Sequence, residues 1–225
     1  MQKILSGTKR VLVDAAGELF AQHGMEGTSV RAIAEKANAN IAAVNYHFGS
    51  KENLYTEVLR HVITSNVTRT LADYAAQIEA SESVEEMMRI VGDIIADRFT
   101  TFFSNDDPEW HGKLLMRSLL EPSPSLQRIV DQVFAPEHRA LERAISRICP
   151  GMTALEAQLM AFSLSGQIAF YVLARTAILI FLGKKNYDTA FLDAAREHVS
   201  RIILAGIKDY NNAGASPAGH EKGLA

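Results

Sequence analysis

The stretch from Thr28 to Leu54, TSVRAIAEKANANIAAVNYHFGSKENL, leaves the chain few choices of local structure. Helix-start signals, short apolar stripes and turn residues alternate along it too quickly for anything but short helices. Thr28 stands where its hydroxyl can accept from a first-turn N–H, and Val30, Ile33, Ala34 and Ala37 follow at helical spacing. Asn38 falls at the turn, and asparagine is the non-glycine residue that best tolerates a left-handed conformation. Asn40 then caps a second helix, Ile41 to His47, with Val44 and Phe48 directed to a core at i and i+4. Gly49 ends that helix and Ser50 caps a third.

The outward residues of the second helix, Ile41, Ala42, Ala43, Asn45, Tyr46 and His47, have no use in a core. They suit a DNA major groove, where asparagine pairs bidentately with adenine and small apolar side chains meet thymine methyls. Ile41, Ala42, Ala43 and Asn45 are therefore the candidate base readers. Thr28, Tyr46, His47 and Lys51 cluster at two helix N-termini and at the end of the reading helix, where phosphates are well received, and are the candidate backbone contacts.

The strings AGELFAQHGMEGTSVRAIAEKA and IAAVNYHFGSKENLY carry a series of spaced anchors: Phe20, Gly24, Thr28, Val30, Ile33, Ala34, Ala37, Tyr46, His47, Phe48, Lys51 and Leu54. On them the N-terminal segment resembles the helix-turn-helix domain of TetR-family transcriptional regulators. Asn38 stands where that family usually has glycine and Asn45 where it often has tyrosine, so no relative's operator carries over. The segment LLMRSLLEPSPSLQRIVDQVFAP resembles the C-terminal domain of the CecR-like branch. The resemblance implies a dimer formed by the last helices and a small-molecule pocket among the helices before them.

Composition agrees with an all-α fold: of 225 residues 48% are hydrophobic, only six are proline, and alternating valine-rich runs are missing. The N-terminus, with charges at Lys3, Lys9, Arg10 and Asp14, lacks the apolar core of a signal peptide. The single cysteine, Cys149, cannot form an internal disulfide and reads as a loop thiol of a reducing compartment, so a cytoplasmic location is expected. Residues 1–60 carry seven Lys/Arg against six Asp/Glu, within a net charge of -3 for the chain. Affinity for DNA would then rest on placed contacts, doubled by dimerisation, more than on bulk charge.

Periodicity lays out the remaining helices. The first runs from Thr8 to His23 with Val11, Ala15, Leu19 and Phe20 on one face, and Gly24 ends it. A long helix from Lys51 to about Ile78 links the first domain to the second, and others start near Ser83 and Trp110. After Pro122-Ser123-Pro124, one begins at Ser125 or Ser123 and runs to Ile148 past Pro136. Between Leu159 and Leu182, within a helix from Thr153, the only strongly polar residues are Gln167 and Arg175. Such a run suits either a membrane span or a helix buried on both sides. Arg175 inside it and Ser163, Ser165 and Gly166 along it favour burial without a membrane, and the second face then needs another chain. With the helix from Thr189 to Tyr210 it makes an interface containing Gly166, Phe170, Ile178, Phe191, Val199 and Ile202. The expected division is residues 1–55, a helix-turn-helix domain; 56–211, an effector-binding and dimerisation domain; and 212–225, a disordered tail.

Enzymatic signatures are missing. The seven histidines form no HExxH pair, and there is neither a Gly-rich phosphate loop nor a GxSxG elbow, so no catalytic residue, metal or cofactor is expected. Phe99, Phe102, Phe103, Arg117, Phe134, Phe162, Gln167 and Tyr171 combine apolar surface with a few polar groups, as an effector pocket requires, although such aromatics also serve as plain core. The reading is a homodimeric repressor that binds near-palindromic double-stranded DNA and is released by a small apolar, aromatic-bearing effector. A helical scaffold without effector control is the alternative, and an enzyme ranks third.

Overall fold

The computed structural model describes residues 7–103, 108–121 and 123–214, and every regular element among them is helical. In chain order these are α1 (Thr8–His23), α2 (Val30–Lys36), α3 (Ile41–Phe48), α4 (Lys51–Thr64), α5 (Leu71–Ala80), α6 (Val84–Phe102), α7 (Glu109–Leu120), α8 (Pro124–Ile129), a π-helical turn (Val130–Phe134), α9 (Ala135–Ile148), α10 (Ala154–Leu173), α11 (Arg175–Leu182) and α12 (Thr189–Gly214). Contacts divide the chain into one unit of residues 1–68 and 103–135 and another of residues 69–102 and 136–225. Of the expected tail, the first three residues continue α12, and residues 215–225 lie outside the described residues, as does Pro122.

In the first unit α1 is covered by α2 and α4 and also by α7. Its inner surface is therefore wider than the stripe expected from periodicity, and it is turned: Leu12, Val13, Ala16 and Phe20 are buried, while Val11 is 49% exposed. Phe20 meets Tyr55 of α4 edge-on, with ring centroids 4.9 Å apart. Leu114 of α7 and Ile129 of α8 belong to the same core. The approach of α7 depends on Gly17, because a Cβ there would stand 2.3 Å from the Trp110 ring.

The rod expected from Lys51 to Ile78 is broken. α4 stops at Thr64, and a capping box starts α5: the Thr70 hydroxyl accepts from the Asp73 N–H at 3.1 Å, and the Asp73 carboxylate accepts from the Thr70 N–H at 2.9 Å. The Thr70 hydroxyl, which donates to the same carboxylate at 2.7 Å, and the Thr70 N–H hold the Asp73 carboxyl below the usual carboxylate range. The polar, β-branched stretch from Ser65 to Arg69 has no apolar stripe with which to resist the break. The helix expected from Ser125 to Ile148 is divided as well. Ser123 caps α8, and Pro136, which lacks the N–H a continuous helix needs, lies in the first turn of α9 beyond the π-helical turn.

In the second unit α6 packs on α5, α10 and α12, burying Met87, Ile90, Val91, Ile94 and Ile95. The long apolar helix expected from Thr153 to Leu182 is two, α10 and α11, bent by 63°. Past the bend the Arg175 guanidinium donates to Asn186 at 3.1 Å and lies 5.2 Å from the centre of the Tyr187 ring. Among the described residues no single helix is long and apolar enough to cross a membrane. α10 buries Ala157, Ala161, Leu164 and Ile168 but leaves Leu155, Leu159 and Phe170 outside. On α11, Ile180 and Phe181 are 76% and 88% exposed. Of the residues expected at an interface, Gly166, Phe170 and Ile202 are exposed, and Ile178 and Phe191 are half-buried. Val199 is not available: at 0% exposure it is core, on the inner side of α12 with Ala195, Ile203 and Ile207. Cys149 stands in the loop that follows α9, as expected, and is buried there. Its buried Sγ donates to the Ile207 carbonyl at 3.3 Å, and burial pushes its pKa up, which keeps it protonated and inert.

Replacing Gly17 with alanine should force Trp110 away from α1 and lower stability by about 1–3 kcal/mol. Thermal unfolding measures the loss. Since Trp110 is the chain's one tryptophan, its emission should shift in the folded variant.

Candidate nucleic-acid interface

A helix as short as α3 is not stable by itself, so its orientation is set at its ends and by its inner residues. The turn before it places Asn38 at φ 48°, the one non-glycine residue with positive φ among those described. The Asn40 side chain accepts from the Ala42 N–H at 2.8 Å. Val44 and Phe48 are buried, and Lys9 of α1 lies 5.5 Å from the centre of the Phe48 ring while its ammonium pairs with Glu57 at 3.0 Å. At the far end Gly49 takes φ 76° and its N–H donates to the Asn45 carbonyl.

Held in this way, α3 turns Ile41, Ala42, Asn45, Tyr46 and His47 to solvent, with Tyr46 86% exposed. Ala43 is half-buried against the core of the first unit, which gives it less to offer a groove than its three companions. Ser50 caps α4 by accepting from the Asn53 N–H at 3.1 Å, and Lys51 is half-buried in the first turn. The Glu52 carboxyl is held below the usual carboxylate range by its own backbone N–H and by the Ser50 hydroxyl. Other cations nearby are already engaged, Arg31 with Glu35 and Lys36 with Glu18, both at 2.8 Å.

Thr28 is a correction. The cap of α2 is Ser29, whose hydroxyl accepts from the Ala32 N–H at 3.1 Å. Thr28 is only 3% exposed, and its hydroxyl donates inward to the Gly24 carbonyl at 2.7 Å and the Leu19 carbonyl at 3.2 Å. It ties the loop to the end of α1 and presents no side chain to a phosphate. Two adjacent hydroxyl residues precede α2, and the sequence does not say which of them turns inward.

The eight residues expected around an effector are distributed over both units. In the second unit Phe99 lies 6.0 Å from Tyr171, which lies 6.2 Å from Phe191. Gln167 is half-buried on α10, and Phe102 is partly exposed at the end of α6. Phe162 stacks at 4.1 Å on His138, whose pKa burial lowers. Phe103, Arg117 and Phe134 belong to the first unit. There Arg117 pairs with Glu121 at 3.0 Å and packs against Gly24, so it serves the end of α1, and Phe134 is 48% exposed. Two shallow hollows, of about 220 and 200 Å3, are lined by other residues: Gln77, Ser81, Arg89 and their neighbours in one, Glu18, Gln22 and Trp110 with theirs in the other.

Thr28→Val keeps the shape of the side chain and strands the Gly24 carbonyl without its donor. It should cost about 1–3 kcal/mol in thermal unfolding and leave the salt dependence of duplex binding unchanged.

Residues 12–58 match the model of the bacterial regulatory proteins of the tetR family, and residues 84–207 match that of the C-terminal domain of the HTH-type transcriptional dual regulator CecR. The chain is 28% identical to the HTH-type transcriptional dual regulator CecR of Shigella flexneri over 217 residues, which are 88% of this chain and 92% of that protein. It is 24% identical to the HTH-type transcriptional regulator RutR of Escherichia coli K12 over 212 residues, 92% and 93% of the two chains. Its fold is shared by the transcriptional regulator FadR of Bacillus subtilis in complex with stearoyl-CoA, at a TM-score of 0.62 and 16% identity over 88% of this chain and 98% of the other. The chain belongs to the TetR family of bacterial regulatory proteins, with a C-terminal domain of the CecR type, and is a helix-turn-helix DNA-binding transcriptional regulator.

Proposed function

We propose that two copies of this chain bind a near-palindromic operator in the cytoplasm as a repressor and leave it when a small apolar molecule binds. The observation that carries the reading is the presentation of α3: Val44 and Phe48 are spent on the core, while Ile41, Ala42 and Asn45 face outward from a helix capped at both ends. Asn45 reads adenine, Ile41 and Ala42 meet thymine methyls, and Tyr46, His47 and Lys51 hold phosphates on either side. Two such helices address half-sites about one helical turn, or a multiple of it, apart.

Pairing of the copies is supported by the uncovered apolar residues of α10 to α12: Leu155, Leu159, Phe170, Ile180, Phe181 and Ile202. The effector is an apolar, aromatic-bearing molecule, a choice supported by the neighbouring rings of Phe99, Tyr171 and Phe191. FadR of Bacillus subtilis was solved with stearoyl-CoA, which makes acyl-CoA thioesters a second class to try.

Fluorescence anisotropy on duplexes selected from a randomised pool tests the reading. Asn45→Ala should lose about 1–3 kcal/mol and relax preference at one position per half-site, whereas Lys51→Ala should weaken all duplexes alike and lower the salt slope by about one unit. A wild-type chain that enriches no sequence would remove the operator from the account. Aromatic acids and acyl-CoA thioesters titrated with and without the selected duplex test the effector. By linkage, a ligand that loosens DNA a hundredfold must bind the DNA-bound form a hundredfold more weakly, a coupling of about 2.7 kcal/mol. Equal binding to both forms would rule a compound out as inducer.

A further inference from the structure

The last carbonyls of a helix have no partner within it, and in α3 they lie beside the residues that read DNA. One of them, that of Phe48, accepts from the Asn53 side-chain Nδ2 at 3.0 Å. The other end of the same amide, Asn53 Oδ1, accepts from Arg128 Nη1 of α8, also at 3.0 Å. Asn53 is held in the first turn of α4, where its N–H donates to the Ser50 hydroxyl. α8 is seated on that turn by the Ser125 hydroxyl, which donates to the Glu52 carbonyl at 3.3 Å. Residues 48, 53 and 128 all belong to the first unit.

We propose that Arg128 is a positioning residue for the recognition helix, acting through Asn53 on the Phe48 carbonyl. An asparagine amide can turn over and exchange its oxygen and nitrogen. With the guanidinium on one side and the Phe48 carbonyl on the other, only one orientation satisfies both neighbours. The reversed one sets oxygen against oxygen and NH2 against guanidinium. Arg128 therefore fixes which end of Asn53 faces α3, and thereby the direction in which the last turn of α3 points. Arg128 lies within residues 84–207, which match the CecR C-terminal domain, so the C-terminal domain's own sequence supplies a strut to the DNA-reading helix. This deepens the function proposed above and rests on its reading that α3 enters the groove.

The test uses the full chain, its selected duplex and a random duplex of equal length. Arg128→Ala should weaken binding to the selected duplex about tenfold, as the loss of one charge-assisted hydrogen bond does. The slope of log K against log salt should stay unchanged, because no phosphate contact is removed. Amide hydrogen exchange across residues 41–49 should accelerate while that of α10 stays as in the wild type, and Arg128→Lys should restore most of both. Asn53→Ala should lose at least as much as Arg128→Ala, and adding Arg128→Ala to it should change nothing further. A slope lower by about one unit per protomer would make Arg128 a phosphate ligand and overturn the proposal. So would unaltered exchange in α3, or losses that add in the double variant. The exchange measurement needs no DNA, so it decides the role of Arg128 even if the wild-type chain selects no duplex and the operator reading itself falls.

Discussion

A three-helix domain is too small to bury enough apolar surface to be comfortable alone, and the rest of the molecule follows from how this chain meets that limit. α1 is the shared floor. On it lie α2 and α4 from the N-terminal sequence and α7 from much later in the chain, with Leu114 and Ile129 completing the core that Phe20, Ile33, Val44 and Leu54 begin. The contact works because Gly17 leaves the Trp110 ring room against the α1 backbone. The helix-turn-helix is thus not finished by its own residues. Segments matching the family's C-terminal domain are built into its support, which gives that domain a direct hold on the part that reads DNA.

Much of the reading head was legible in the sequence because its signals are local. Asn38, Asn40 and Ser50 occupy the left-handed turn and the two caps, and Val44 and Phe48 are buried. Where two residues competed for one role, the sequence was ambiguous: Ser29 caps α2 and Thr28 turns inward. On α1 Ala15, Leu19 and Phe20 face the core as their spacing implies, but Val11 is exposed and Leu12, Val13 and Ala16 are buried too, since periodicity assumes one covered side and this helix has two.

The longer helices show a different limit. A run of apolar residues at helical spacing says that helix is possible, and says little about where it stops. The rod expected through residue 78 gives way to a threonine–aspartate capping box whose pattern stands in the sequence and outweighs the weak periodicity before it. The bend at Ala174 has neither proline nor glycine to announce it. Past it Arg175 meets Asn186 and the Tyr187 ring, partners that helical spacing does not foretell. Val199 and Ile202 share a helix and an apolar character, and which of them is core depends on the neighbours of α12 alone. Of the aromatics grouped as one pocket, Phe99 neighbours Tyr171 and Phe162 neighbours His138, pairings that composition alone does not specify.

Within α3 the residues that hold the helix and those that face outward are different residues. Asn40, Val44 and Phe48 fix it, while Ile41, Ala42, Asn45 and Tyr46 touch little of the protein. Substitution at the outer positions is therefore nearly free of folding consequences. A lineage carrying this scaffold can acquire a new target sequence by steps that each leave a folded protein, so that after gene duplication recognition can diverge faster than the architecture that presents it.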